Sequence, residues 1–167
     1  MTSGGTTFDK GLIVGAEMFG QNKDGFQPIV NIDLVDELVA HELIHFQQNY
    51  KQDNSLLAQC ILEGSADFIG ELIAGDHINK ATYVYGNAHE KQLWEEFLKV
   101  KDKSNYENWL YGSYDTSKAK DLGYWMGYKI TKAYYDKSVD KDLAIKEILN
   151  IKDFSAFFEA SGYNGGQ

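Results

Sequence analysis

Several residue types are scarce in this chain, and each scarcity narrows what the protein can be. The 167 residues include no arginine, one cysteine and one proline. Without arginine, no guanidinium can clamp a substrate carboxylate or an oxyanion. The lone cysteine, Cys60, excludes an intramolecular disulfide. No apolar run is long enough to span a membrane, and the net charge of −9 argues against nucleic acid or an anionic membrane surface as partner.

A His-Glu-x-x-His motif is present at residues 41–45. Residues four apart lie on one face of a helix, so His41 and His45 can direct two imidazole nitrogens at one metal ion. Glu42 lies about 100° further round the helix, where it can reach a water on the open side of that metal. A zinc hydrolase requires these groups, although the motif is short enough to occur by chance on a core helix.

The residues around the motif predict the helix that it needs. Asp33 is expected to be the N-cap, and Asp36 and Glu37 place negative charge in the first turn, where the helix dipole favours it. Apolar residues recur at helical spacing and predict a buried stripe beside the histidines. This predicted stripe consists of Val39, Leu43, Phe46 and Tyr50.

A second predicted helix offers the third metal ligand. It runs over residues 56–74, with Asn54 or Ser55 as N-cap and Gly75 as its C-terminal stop. Glu63 and Asp67 are four residues apart on this helix and share a face with small residues, which permit close approach of another helix. We therefore predict Glu63 as a ligand and Asp67 as an acceptor that orients a ligand histidine.

Two alternatives remain open for this second helix. Glu63 and Asp67 could form a solvated face together with Glu71, although the small neighbours argue against that interpretation. Cys60 precedes Glu63 by three residues and could compete as a ligand, while burial as a structural thiol is the more common role for such a cysteine.

These motifs resemble a known group of enzymes. His41-Glu-Leu-Ile-His45 followed by Glu63-Gly-Ser-Ala-Asp67 is similar to the gluzincin pattern of thermolysin-type metallopeptidases. More closely, it resembles a family of bacterial predicted zinc-dependent proteases related to the gliding-motility lipoprotein B group. Less specific similarities to this family extend over residues 3–6, 10–14, 108–111 and 121–128. The resemblance implies Zn²⁺ as cofactor and a peptide or protein as substrate.

The resemblance also bears on location. The related lipoproteins imply an extracytoplasmic address, in the periplasm or anchored as a lipoprotein, whereas the chain by itself reads as cytoplasmic. Because a family-like segment begins immediately after Met1, we expect that an upstream portion of a longer chain is missing.

Read in order, the chain predicts one α+β domain over residues 1–167 that is mainly α. Residues 1–7 are expected to be mobile; strands follow over residues 11–19 and 26–32, with a turn at 21–25. Residues 12–18 could pair with an extended substrate or be an ordinary core strand. After the zincin-like helix pair we expect a loop and extended piece over 76–85, and a helix capped by Asn87 that runs to about Lys101. A C-terminal helical region follows, with a short helix at 107–111 and longer helices over 118–136, 141–149 and 154–160.

The chemistry that follows is water addition to a peptide bond. Glu42 takes the proton of a water activated by zinc and passes it to the leaving amine. An oxyanion forms in this reaction and needs a donor beyond the metal. Tyr124 is the first choice for this donor, with Tyr83, Tyr85 and His89 as rivals. The other hypotheses are a catalytically silent zinc-binding or interaction domain of the bacterial envelope, or a metal-free polar network in a helical interaction module.

Overall fold

The computed structural model describes Gly5–Phe8, Gly11–Val14 and residues 32–112, 115 and 117–166. Strand β1 (Gly5–Phe8) pairs antiparallel with strand β2 (Gly11–Val14), and both contact the helix that carries the motif. The predicted small antiparallel element is therefore present. Part of the start that was expected to be mobile, Gly5–Phe8, forms a strand. Residues 15–31, which contain the predicted turn and nearly all of the remaining predicted strand residues, lie outside the described residues; Ile32, the last residue of the second predicted strand, belongs to a 3-10 helix.

Helix α1 (Val35–Gln47) carries the motif, but two predictions about it were wrong. Asp33 is not the N-cap, because it lies within a 3-10 helix (Ile32–Leu34) and Leu34 occupies the cap position. The predicted apolar stripe is not the buried one, since Leu43 and Phe46 are 48% and 40% exposed. The buried face instead contains two residues of the motif, His41 and Glu42, together with Leu38, Ala40 and Ile44.

The choice of face on α1 follows from its neighbour. Helix α2 (Leu56–Ala74) packs along α1 and presents buried Glu63 and Asp67, so the side of α1 that bears the histidines turns inward. The predicted ends of α2 are confirmed: Ser55 Oγ accepts a hydrogen bond from the Ala58 backbone, and Gly75 adopts a left-handed conformation with φ 89°.

Residues 80–88 fold as helix α3 (Lys80–Ala88), not as the predicted extended piece. Aromatic and β-branched residues favour strands locally, but here tertiary packing overrides that preference. Tyr83 is buried, and Gly86 lies directly against the Trp125 ring. Helix α4 (Glu90–Leu98) follows after His89, and Asn87 accepts a hydrogen bond from Trp125 Nε1 instead of capping α4.

Three more helices lie in the described residues of the C-terminal half. They are α5 (Leu122–Lys137), α6 (Lys141–Ile148) and α7 (Phe154–Ser161). The predicted caps Asp140 and Asp153 and the stop at Gly162 are confirmed. Residues 107–111 form turns and not the expected short helix, and α5 begins four residues later than predicted. In the described part of the chain, no helix combines the length and apolar character needed to cross a bilayer.

Helices α2 and α5 cross with their backbones in contact. A Cβ added to Gly127 would lie 1.7 Å from the Cys60 carbonyl oxygen, and one added to Gly64 would lie 2.1 Å from the Tyr128 nitrogen. Neither position has room for a side chain. This crossing holds Tyr124, one turn before Gly127, beside the helix pair that carries the motif.

Candidate metal centre

Three side chains from two helices converge at one point. His41 Nε2 and His45 Nε2 on α1 are 3.1 Å apart, and each is 3.5 Å from Oε2 of Glu63 on α2. Among the described residues, these three side chains are the ones whose donor atoms lie close enough together to bind one metal ion. Cys60 is not a member of the group, because it is fully buried at the α2–α5 crossing.

The donor set has the chemistry and spacing of a zinc site. Structural surveys place zinc about 2.0–2.1 Å from histidine nitrogen and carboxylate oxygen, so two ligands of a tetrahedral site are separated by roughly 3.3 Å. The observed separations of 3.1, 3.5 and 3.5 Å lie close to that value. Two imidazoles and one carboxylate also leave a fourth position for a water or a substrate, as catalytic zinc sites do.

A buried carboxylate supports His41. Oδ1 of Asp67 accepts a hydrogen bond from His41 Nδ1 at 2.7 Å. Oδ2 of Asp67 accepts from Asn79 Nδ2 and from the Tyr83 hydroxyl, both at 2.9 Å. Asp67 is 1% exposed and Glu63 is 8% exposed, so the two do not form the solvated face that the sequence left open. The His41 ring is thereby held with Nε2 directed at His45 and Glu63.

A neutral amide supports His45. Gln48, the residue after α1, has Oε1 2.7 Å from His45 Nδ1. Gln48 Nε2 donates to the Leu62 carbonyl at 2.7 Å and to Ser65 Oγ at 3.0 Å. Ser65 is fully buried and in turn contacts the Tyr50 hydroxyl at 2.9 Å.

The charges around the site oppose one another. Burial lowers the pKa of His41, but hydrogen bonds to Asp67 and Glu63 outweigh it and raise the pKa to about 10. Burial also lowers the pKa of His45, but the hydrogen bond to Glu63 outweighs burial, so the pKa of His45 is raised. The two histidines overcome the effect of burial on Glu63 and hold its pKa well below the usual range. The site thus favours positive charge next to Glu63, and protons compete with a metal ion for the two Nε2 atoms.

Glu42 lies beside this group without joining it. Its side chain is buried next to the histidines, and burial raises its pKa although the charges of His41 and His45 oppose the shift. The described residues offer its carboxylate no hydrogen-bond partner within reach. A buried carboxylate with a raised pKa and free lone pairs can accept a proton from a neighbouring water.

Two tyrosines approach the site. The Tyr124 ring stacks over the His41 ring, with centroids 6.0 Å apart and planes inclined by 22°. The Tyr111 hydroxyl lies 3.4 Å from Glu63 Oε1, and Tyr111 has a backbone φ of 61°. Burial, together with the charge of Glu63, raises the pKa of both hydroxyls, so both remain protonated donors.

The other candidate donors are engaged elsewhere. The Tyr83 hydroxyl donates to Asp67, so Tyr83 supports His41 indirectly. Tyr85 and His89 stack on one another, with ring centroids 4.1 Å apart, and His89 Nδ1 lies 2.9 Å from the Tyr85 carbonyl.

Sequence reasoning missed several residues at the centre. Gln48 follows His45 by three positions and could have been found as an i, i+3 neighbour on the same helix face. Asn79, Tyr83 and Tyr111 come from segments with no local signal that relates them to the motif, since their positions depend on tertiary packing.

Comparison with protein families agrees with this geometry. A family model described as "Predicted Zn-dependent protease (DUF2268)" matches residues 26–154, which include all of α1 to α6. The chain belongs to this family. Membership in the predicted Zn-dependent protease family covers both ligand-bearing helices and the helix that carries Tyr124. No curated protein and no solved structure matches the chain significantly.

Proposed function

We propose that this protein is a zinc metallopeptidase that hydrolyses peptide bonds. The observation that carries the proposal is the convergence of His41, His45 and Glu63 at tetrahedral spacing, with Glu42 buried beside them. A purely structural zinc site has no need of a carboxylate base next to its ligands. Membership in a predicted Zn-dependent protease family supports a peptide as the substrate.

In this proposal, His41, His45 and Glu63 hold the zinc ion, and Asp67 keeps His41 in the correct tautomer. Zinc, when bound there, would act as a Lewis acid that lowers the pKa of a water and polarises the scissile carbonyl. Glu42, buried beside the ligands, takes a proton from the attacking water and delivers it to the leaving amine.

Tyr124 is proposed as the donor to the oxyanion. Its hydroxyl makes no hydrogen bond with the described residues, so it is available to a substrate, and its ring lies over a ligand histidine. Tyr111 is the alternative donor, because its hydroxyl already contacts Glu63. Its backbone has a positive φ, as do Asn108 and Asp121 nearby, and such strained backbone is typical of functional sites.

The test of the function separates metal binding from catalysis. Zinc content and cleavage of a fluorogenic peptide library are measured for the wild type, Glu42→Gln and His45→Ala. Glu42→Gln is expected to keep stoichiometric zinc and to lose about 10²–10⁴-fold in kcat, because the base is removed while the ligands remain. His45→Ala is expected to lose the metal and the activity together. Exposed residues supply the controls, Glu95→Gln and His89→Ala.

The outcomes are decisive in either direction. Full activity of Glu42→Gln would overturn the proposed mechanism, and zinc binding by the wild type without any Glu42-dependent cleavage would leave a catalytically silent zinc domain. Tyr124→Phe and Tyr111→Phe then identify the donor: the variant that lacks it should lose roughly 10²–10³-fold in kcat with little change in KM.

A further inference from the structure

Gln48 lies where α1 ends and the chain changes direction. Its backbone N–H still bonds to the Ile44 carbonyl at 3.1 Å, but its ψ of 109° turns the chain out of the helix. The side chain folds back over the last turn and reaches His45 and α2 together.

We propose that Gln48 is a positioning residue that fixes the tautomer of His45 and the separation of His45 from Glu63. This inference rests on the proposed zinc site, because it concerns how two of the ligands are held. Gln48 does not touch the metal position itself; it acts through His45 and through the backbone of α2.

The orientation of the Gln48 amide is determined by its neighbours. The Leu62 carbonyl can only accept a hydrogen bond, so the group facing it at 2.7 Å must be the amide NH₂. The amide oxygen therefore faces His45 Nδ1, which must carry the proton in order to donate. In the neutral imidazole, which is the form that binds a metal, Nε2 of His45 then carries the lone pair, directed at the point where His41 and Glu63 meet.

The same amide joins the two helices that carry the ligands. Leu62 immediately precedes Glu63 on α2, and His45 is the last motif residue on α1. A hydrogen bond on each side of one planar group, both 2.7 Å long, ties these two points together. Without the amide, the His45 ring would lose the acceptor that orients it, and α2 would lose a hydrogen bond to the end of α1 next to Glu63.

A buried network keeps the amide itself in place. Ser65 Oγ accepts from Gln48 Nε2, and Ser65 contacts the Tyr50 hydroxyl. The single O–H of Tyr50 donates to the Ile148 carbonyl at the end of α6, at 2.7 Å. Through Ser65 and Tyr50, Gln48 is therefore connected to a helix far away in sequence.

The first test is the zinc dissociation constant, measured by competition with a chromogenic chelator. Gln48→Met keeps the length of the side chain but removes its acceptor and donors. We expect zinc to bind about 10–100-fold more weakly, the usual effect of removing the partner of a metal-bound histidine. Gln47→Met, one residue earlier and exposed, is the matched control and should bind as the wild type does. Equal affinity of Gln48→Met and wild type, within twofold, would overturn the proposal.

The second test uses the unaltered protein, so it does not depend on a variant that folds. Nitrogen-15 NMR of the zinc-loaded wild type should show His45 coordinated through Nε2 and protonated at Nδ1, with slow exchange of that proton. Coordination through Nδ1, a rapidly exchanging Nδ1 proton or a wild type that binds no zinc would contradict the proposal.

Failure of this inference is distinguishable from failure of the proposed function. A protein that binds zinc but cleaves no peptide, while Gln48→Met still weakens the metal, retains the positioning role and loses the peptidase proposal. If the wild type is an active peptidase but Gln48→Met binds zinc as tightly as the wild type does, the peptidase proposal stands and the positioning role is lost.

Discussion

The two histidines of the motif are one helical turn apart, yet they are held in different ways. His41 is 5% exposed and donates to a buried carboxylate, Asp67, which two further side chains hold in place. His45 is less deeply buried, with 18% of its side chain exposed, and donates to a neutral amide, Gln48, which is held by a backbone carbonyl and a serine. Equivalent positions in the motif therefore have unlike surroundings.

The difference has a chemical meaning. A carboxylate partner makes an imidazole a more basic ligand than an amide partner does, because it stabilises the charge that the ring gives up to the metal. A buried carboxylate is also costly unless its lone pairs are satisfied, and Asp67 meets that condition with three donors. We infer that His41 contributes more to metal affinity, and that the His45 side mainly sets geometry.

The largest expected effect comes from removing the carboxylate. Asp67→Ala leaves His41, Tyr83 and Asn79 without their acceptor in a buried region, so the metal-free protein should lose about 3–5 kcal/mol of stability. Zinc affinity should fall by about 100-fold, the upper end of the range for such partners. Denaturant unfolding in chelator and a zinc titration measure the two effects, with the exposed Asp142→Ala as control. A smaller loss of zinc affinity than in Gln48→Met would reverse the comparison.

A smaller effect is expected one layer further out on the His41 side. Tyr83→Phe removes one donor to Asp67 and leaves Asn79 in place, which should cost about 1 kcal/mol of stability. Tyr85→Phe, on the same helix, is the matched control and should change stability less. Thermal or denaturant unfolding of both variants is the measurement. Equal losses in the two would mean that the Tyr83 hydroxyl contributes no specific support.

The smallest effect on the metal is expected from Tyr50→Phe. Gln48 would keep both of its acceptors, Leu62 and Ser65, so zinc affinity should stay within a few-fold of wild type. Stability should fall by about 1 kcal/mol, because the bond to the Ile148 carbonyl is lost. A loss of zinc affinity as large as that of Gln48→Met would show that the outer network, and not the amide, controls His45.

The parts of the molecule that sequence could predict are those specified by local rules. The four-residue spacing of His41 and His45, and of Glu63 and Asp67, follows from helix geometry, and the structure brings these residues together. The caps at Ser55, Asp140 and Asp153 follow from side-chain hydrogen bonds to nearby backbone. The roles of His41, His45, Glu63 and Asp67 in metal binding and catalysis remain predictions.

The parts that could not be predicted depend on contacts between distant segments. Residues 80–88 include strand-forming side chains, but they fold as a helix in which Tyr83 makes a buried hydrogen bond to the distant Asp67. Apolar residues occur on both sides of α1, and the side that turns inward is the one that packs against α2. Gln48, Tyr83 and Tyr111 reach the centre from separate segments, a proximity that periodicity cannot reveal.

The contact between the α2 and α5 backbones gives the protein a built-in reporter. Cys60 lies fully buried at that crossing, and burial raises the pKa of its thiol well above the usual range. Because the thiol is fully buried there, alkylation requires the crossing to open, and because it is the one cysteine of the chain the signal comes from this place alone. The alkylation rate in native buffer therefore measures how often the crossing opens, and zinc should slow it if the metal stabilises α2 in its closed position.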